Sequence, residues 1–164
     1  MRWWEIEASA PELAALAVER FARTGVAMLG TLRGNGSPRI SPCEVYAVDG
    51  ELCLGMMWRS RKALDLLRDP RIVVHSATCS RAGDEGDVKL YGVAVEVGDP
   101  VLRERYADTL ERAIDWRPPE PFHLFALDVR RAGFISFGEA RRALRWTPER
   151  GLEAIRHPDD PTSG

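Results

Sequence analysis

Cysteine is scarce: Cys43, Cys53 and Cys79 are the only three in 164 residues, with no C-x-x-C spacing among them. An odd, scattered count excludes a disulfide framework and fits buried thiols in a reducing cytosol. No apolar run approaches the length of a membrane span. The opening MRWWEIEASAPELAALAVERF carries acids and a proline where a secretory signal needs an unbroken apolar stretch. Neither charge sign dominates: 23 Lys and Arg face 25 Asp and Glu, a formal net charge of −2. Without surplus cations for a phosphate backbone, general nucleic-acid binding is excluded, although one local anion site is not. There is no G-x-G-x-x-G after a strand and no Walker loop, so the common nucleotide folds receive no support. The expectation is a cytoplasmic protein with neither membrane nor nucleic acid as partner.

The residues present suffice for a core. With 45% hydrophobic residues the chain can build one compact domain, expected over residues 1–150. Residues 151–164, ending RHPDDPTSG, read as a polar and flexible tail. Ser9 ahead of Pro11 and Glu12 reads as a helix cap, and Leu13, Leu16, Ala17 and Phe21 recur at helical spacing up to Thr24-Gly25. VAMLGTL, PRISPCEVYAV and ELCLGMM are three strands joined through Asn35-Gly36 and Asp49-Gly50, an antiparallel meander. A helix from Ser60 to Asp69-Pro70 follows, then the strands RIVVHSA and VKLYGVAVEV. A helix opened by Asp99-Pro100 and the strands FHLFALDV and AGFISF complete the pattern, with RALRWTP as a candidate last strand. About six strands, three helices and mostly hairpin connections predict an α+β, mainly β fold, an antiparallel barrel with flanking helices.

The stretch MMWRSRKALDLLRDP, residues 56–70, poses a problem of charge. A helix N-terminus carries partial positive charge and unpaired N–H donors, so acids are favoured there. Arg59, Arg61 and Lys62 crowd that end instead. Two readings stand: a solvated turn, with Asp65 or Asp69 pairing Arg61 or Lys62 at helical spacing, or an anion site. In the second, Ser60 offers its hydroxyl, the first-turn N–H groups and helix dipole attract a phosphate, Arg61 grips two oxygens and Lys62 adds a point charge. Arg39, in PRISP, lies on the strand before the one leading into this turn, and Pro38 and Pro42 bracket a segment suited to an edge or bulge.

Arg39-Ile40-Ser41-Pro42, the strand ELCLGMM and Ser60-Arg61-Lys62-Ala63 with the closing RDPR together resemble the pyridoxamine 5′-phosphate oxidase-like family of split barrels. The resemblance runs from about Gly25 to Trp146. It implies a split β-barrel and a homodimer holding FMN, or alternatively the deazaflavin coenzyme F-420, at the subunit interface. It further implies that Arg39, Ser60, Arg61 and Lys62 bind the cofactor phosphate, and that the backbone of Ile40, Ser41 and Pro42 lies along the ring. Gly55 and Met56 would flank the ribityl chain, glycine permitting close approach. Asp87 or Lys89 would reach across the dimer, and Phe137 falls where the oxidases proper place a ring-contacting tryptophan.

Where those oxidases carry an R-x-H pair for pyridoxal phosphate, this chain has Ala143 and Arg145, which speaks against the vitamin enzyme's substrate. The implied function is a flavin-dependent oxidoreductase acting on an unidentified small molecule. No acid–base pair stands out; Ser41 is the candidate donor to ring or substrate. A non-catalytic flavin or haem carrier is the alternative class, with His75 or His123 as candidate axial ligands. Met56-Met57-Trp58 reads equally as pocket wall or strand-end packing, and Trp3-Trp4 as indoles buried on the barrel or a partner.

Overall fold

The computed structural model describes residues 1–78 and 80–161. Cys79, read above as a buried thiol, and residues 162–164 lie outside the described residues. Four helices, α1 (Trp3–Ser9), α2 (Pro11–Thr24), α3 (Arg61–Arg68) and α4 (Pro100–Ile114), accompany nine strands. These are β1 (Ala27–Leu32), β2 (Pro38–Cys43), β3 (Val45–Val48), β4 (Glu51–Met57), β5 (Arg71–Ser76), β6 (Asp87–Glu96), β7 (Phe122–Ser136), β8 (Arg142–Thr147) and β9 (Gly151–Ile155).

The strands form one antiparallel sheet in the order β2-β1-β5-β6-β7-β4-β3, with β8 on β7 and β9 on β8. It is the expected split barrel: an open sheet, curled so that β2 comes back against β4. The count exceeds six for physical reasons. The return strand breaks at Glu44, because β2 pairs with β1 while β3 pairs with β4; the chain turns the barrel corner there, beside Pro42, which has no N–H for a ladder. FHLFALDV and AGFISF fuse into the single strand β7, which serves β4 with one half and β8 with the other, and β6 along most of its length.

Three local expectations are corrected. Gly151–Ile155, read as the start of a tail, is a strand because Leu152 packs on the core from its place opposite Trp146. Ser9 does not cap α2: its hydroxyl donates back to Glu5 O at 2.7 Å, and Ala10 is the N-cap with Pro11 in the first turn. Of the paired indoles only Trp3 is buried, facing the core with Ile6; Trp4 is half-exposed against Gly50. The Asp49-Gly50 turn is as expected, both residues at positive φ. Asn35-Gly36 sits in a longer loop closed by Arg33 N donating to Ser37 O at 2.9 Å. Among the described residues no helix is long and apolar enough to cross a membrane.

Candidate functional site

The turn between β4 and α3 carries Arg59, Arg61 and Lys62 within four residues. Ser60 N donates to Met57 O at 3.0 Å, and Arg59 holds φ at +56°, a left-handed conformation costing a non-glycine residue about 1–2 kcal/mol. Ser60 occupies the N-cap of α3, yet its side chain makes no capping bond, and its Oγ is buried without a hydrogen-bond partner. No acid stands in the first turn of α3. The N–H groups of that turn have no acceptor within the helix.

The surface-pairing reading of the cations does not materialise. Asp69 is taken by Arg71 at 2.6 Å, and Asp65 by Arg39 and Arg68. Among the described residues no carboxylate lies within ion-pair distance of Arg59, Arg61 or Lys62; Lys62 Nζ donates instead to Pro42 O. Arg39 Nε meets Asp65 Oδ2 at 2.5 Å, and Thr31 Oγ1 and Arg68 Nη2 complete the carboxylate's shell at 3.1 and 3.2 Å. Burial by itself would raise the Asp65 carboxyl, but hydrogen bonds from Arg39, Arg68 and Thr31 outweigh it and hold its pKa below the ordinary value. Two ties, Arg39–Asp65 and Lys62–Pro42, thus fasten β2 to α3. Asp65 engages Arg39 through Nε.

Beside this cluster lies a cavity of about 560 Å³ whose wall includes Pro42, Gly55, Met57, Trp58, Lys62 and Tyr106. The structure places Pro42, Gly55, Met56 and Lys62 on the wall of one cavity; Ser60 and Arg61 stand at the start of α3 beside Lys62, and Arg39 reaches α3 through Asp65, without lining the cavity. Ser41 is half-buried on β2, and Ile40 points outward, 71% exposed. Lys89 is elsewhere, on β6, bonded to Asp87 at 2.8 Å. Phe137 follows β7 and packs edge-on to His157 at 5.1 Å.

Gly55 does permit a close approach, but by an occupant the sequence reading missed. A Cβ there would lie 2.2 Å from the Tyr106 hydroxyl, so it is α4 that fills the space. Tyr106 and Leu110 share a helix face one turn apart, and the WRPPEP loop after α4 adds Trp116 and Pro118 to the cavity wall; helical spacing into a proline-rich loop was the available signal. Trp58 stacks on His123 at 4.5 Å and 10°, covering a buried imidazole whose Nε2 has no partner. His75 Nδ1 sits 2.6 Å from Ser76 O and its Nε2 3.5 Å from Asp87.

Cys43 lines the same cavity. Burial pushes its thiol up to about 12, Lys62 opposing weakly and Glu44 adding to the rise. The thiolate is the nucleophile, so iodoacetamide at pH 8 is expected to leave Cys43 unmodified in the folded protein and to alkylate it after denaturation, as peptide mass spectrometry would read.

Residues 13–136 match the sequence model of the family described as pyridoxamine 5′-phosphate oxidase. The chain belongs to that family. Solved structures share the family fold at low identity. A heme binding protein from Mycobacterium smegmatis is 24% identical with a TM-score of 0.62, over 82% of this chain and 58% of that one. PhzG from Burkholderia lata 383, in complex with tetrahydrophenazine-1-carboxylic acid, is 15% identical with a TM-score of 0.61, over 92% and 90%. Campylobacter jejuni ChuZ is 13% identical with a TM-score of 0.70, over 86% and 61%. This family member thus spans little more than half of the mycobacterial protein. No curated protein matches it in sequence.

Proposed function

We propose that the turn at Ser60 binds the phosphate of FMN and that the protein is a flavin-dependent oxidoreductase acting on a small molecule. One observation carries the reading: a buried, unpartnered Ser60 hydroxyl at the start of α3, beside cations that no carboxylate neutralises. A dianionic phosphate supplies what that end of the helix is missing, an acceptor for the hydroxyl and first-turn N–H groups and a counter-charge for Arg61 and Lys62. Arg39 would add its guanidinium from β2, already aimed by Asp65. Family membership supports a flavin over other phosphorylated ligands.

When bound, the flavin supplies hydride and electron transfer. The chain's own part is to hold and surround it. The Ser60 turn fixes the phosphate, the backbone of Ile40, Ser41 and Pro42 borders the ring, and Ser41 is the candidate donor. Trp58, Met57 and the loop after α4 would form the cavity wall around it. Lys89 and Phe137, which do not join this cluster within one chain, would contribute from a second copy, giving a homodimer with cofactor between subunits. Ala143 and Arg145, in place of the R-x-H pair, argue against pyridoxamine 5′-phosphate as substrate.

A deazaflavin coenzyme is the second reading, favoured by Arg59, which is exposed and without a carboxylate partner just outside the turn, suited to an acidic tail. Haem fits less well: His123 lies beneath Trp58 and His75 is engaged with Ser76 and Asp87. Separate titrations of the purified chain with FMN and the deazaflavin, read by tryptophan fluorescence, test this. Saturable quenching with tighter FMN binding is expected; tighter deazaflavin binding would replace FMN with that coenzyme, and binding of neither would remove the proposal.

A further inference from the structure

The turn that presents Ser60 is strained, and something outside it must hold the strain. Met57 O accepts from Ser60 N at 3.0 Å, which closes a four-residue turn with Trp58 and Arg59 at its centre. A turn whose third residue is left-handed prefers glycine there, yet the residue is Arg59, at φ +56°. Left to itself the turn would relax toward an ordinary conformation, carrying the Ser60 hydroxyl and the start of α3 with it. Arg59 is exposed and forms no ion pair among the described residues, so its side chain does not hold the turn.

Trp58 reaches the barrel instead. β4 and β7 pair with Met56 opposite His123 and Leu54 opposite Phe125, and alternate residues of a strand share a face. His123 and Phe125 therefore stand in one row, and Trp58, just past the end of β4, folds back over it. The rings form a column, Trp58 on His123 at 4.5 Å and 10°, His123 on Phe125 at 6.1 Å and 19°. It runs from a half-exposed indole down to a ring buried in the core. Stacked aromatic pairs attract beyond the area they bury, by an amount comparable to the strain of one left-handed residue.

Histidine is an unexpected member of that column. Its neighbours along β7, Phe122, Leu124 and Phe125, are all buried and apolar. Its Nε2 has no partner, and its Nδ1 reaches Glu96 Oε1 at 3.6 Å, beyond a good hydrogen bond, so the imidazole is a costly choice for packing alone. What it offers is a flat face. His123 does not line the cavity that Trp58 walls, so it acts on a ligand there through Trp58.

We propose that His123 is a positioning residue for the turn at Ser60, its ring fixing Trp58 and thereby the strained backbone that offers the Ser60 hydroxyl and first-turn N–H groups to a phosphate. The assignment rests on the phosphate reading of that turn and adds what keeps the site formed. Loss of the platform lets the turn relax, and affinity falls with the fraction of chains still in the binding form. Only the phosphate end of the ligand feels the change.

The test is calorimetric titration of the purified full chain with FMN and with riboflavin, for the parent, His123→Leu and His123→Phe. Both substitutions fill the site with an apolar side chain and lose Glu96; phenylalanine alone keeps a flat ring. His123→Leu is expected to weaken FMN about tenfold and to leave riboflavin unchanged, while His123→Phe retains the parent's preference for FMN. Trp58→Leu removes the same stack from its half-exposed side without opening the core. It is expected to lower the ratio of FMN to riboflavin affinity as His123→Leu does, and it decides the matter if His123→Leu melts early. A parent that binds FMN no better than riboflavin removes the phosphate reading and this inference with it. A parent that prefers FMN, with the leucine variants keeping that preference, losing both ligands alike, or matched by His123→Phe, overturns this inference alone.

Discussion

Replacing Arg61 and Lys62 together by alanine is expected to weaken FMN binding by about 3 kcal/mol or more, roughly a hundredfold in Kd, since charge-assisted hydrogen bonds contribute about 1.5–3 kcal/mol each. The two side chains differ in their other duties. Arg61 is exposed and unpaired, so Arg61→Ala alone reports on phosphate binding without structural cost. Lys62 also holds Pro42 O, so its loss additionally frees the end of β2. A melting curve separates the effects: the double variant should unfold close to the parent temperature while its FMN titration shifts. Unchanged FMN affinity would remove these cations from the site.

Asp65→Asn is expected to cost about 3 kcal/mol of folding stability, the low end of the range for breaking a buried charge pair. The Asp65 side chain is only 5% exposed and gathers Arg39, Arg68 and Thr31. Asparagine keeps the shape but leaves two guanidinium groups facing a neutral amide. The variant should also loosen FMN, because Arg39 loses the partner that aims it. Urea unfolding at neutral pH reads the first effect. The pH dependence has a fixed sign. The folded carboxyl titrates below its unfolded value of about 3.9, so the unfolded state binds more protons in that interval. The contribution is complete above the unfolded pKa and disappears as pH falls through the folded one. Acid unfolding of the parent should therefore show a component that Asp65→Asn has lost; parallel acid profiles for the two proteins would contradict it.

The barrel was legible where hydrophobic pattern and turn chemistry agreed. Asp49-Gly50 announced its hairpin because both residues must take positive φ, and the apolar runs from Val26 and Arg71 to Phe122 marked strands that the sheet buries. The pattern could not reveal a change of partner. PRISPCEVYAV reads as one strand, and only the tertiary closure of the sheet splits it at Glu44. Gly151–Ile155 escaped because its five residues gain their stability from Leu152 on a core that local sequence does not display. Long-range pairing likewise hid the destination of Asp65: helical spacing offered Lys62 and Arg61, yet a buried carboxylate is better satisfied by Arg39 from β2 and Thr31 from β1.

The cation cluster itself was legible because it broke a local rule, placing positive charge where a helix start favours negative charge. Its surroundings were not. Nothing near Gly55 in sequence points to Tyr106, fifty-one residues later, and the Trp58–His123 stack joins β4 to β7 through sheet order alone.

A direct comparison of FMN with riboflavin bears hardest on the central claim, because the two ligands share the ring and ribityl chain and differ by the phosphate alone. With Ser60, Arg61 and Lys62 as the phosphate's partners, equilibrium titration should find FMN bound at least about a hundredfold more tightly. Equal affinities would mean that the positive cluster at the start of α3 serves some other purpose.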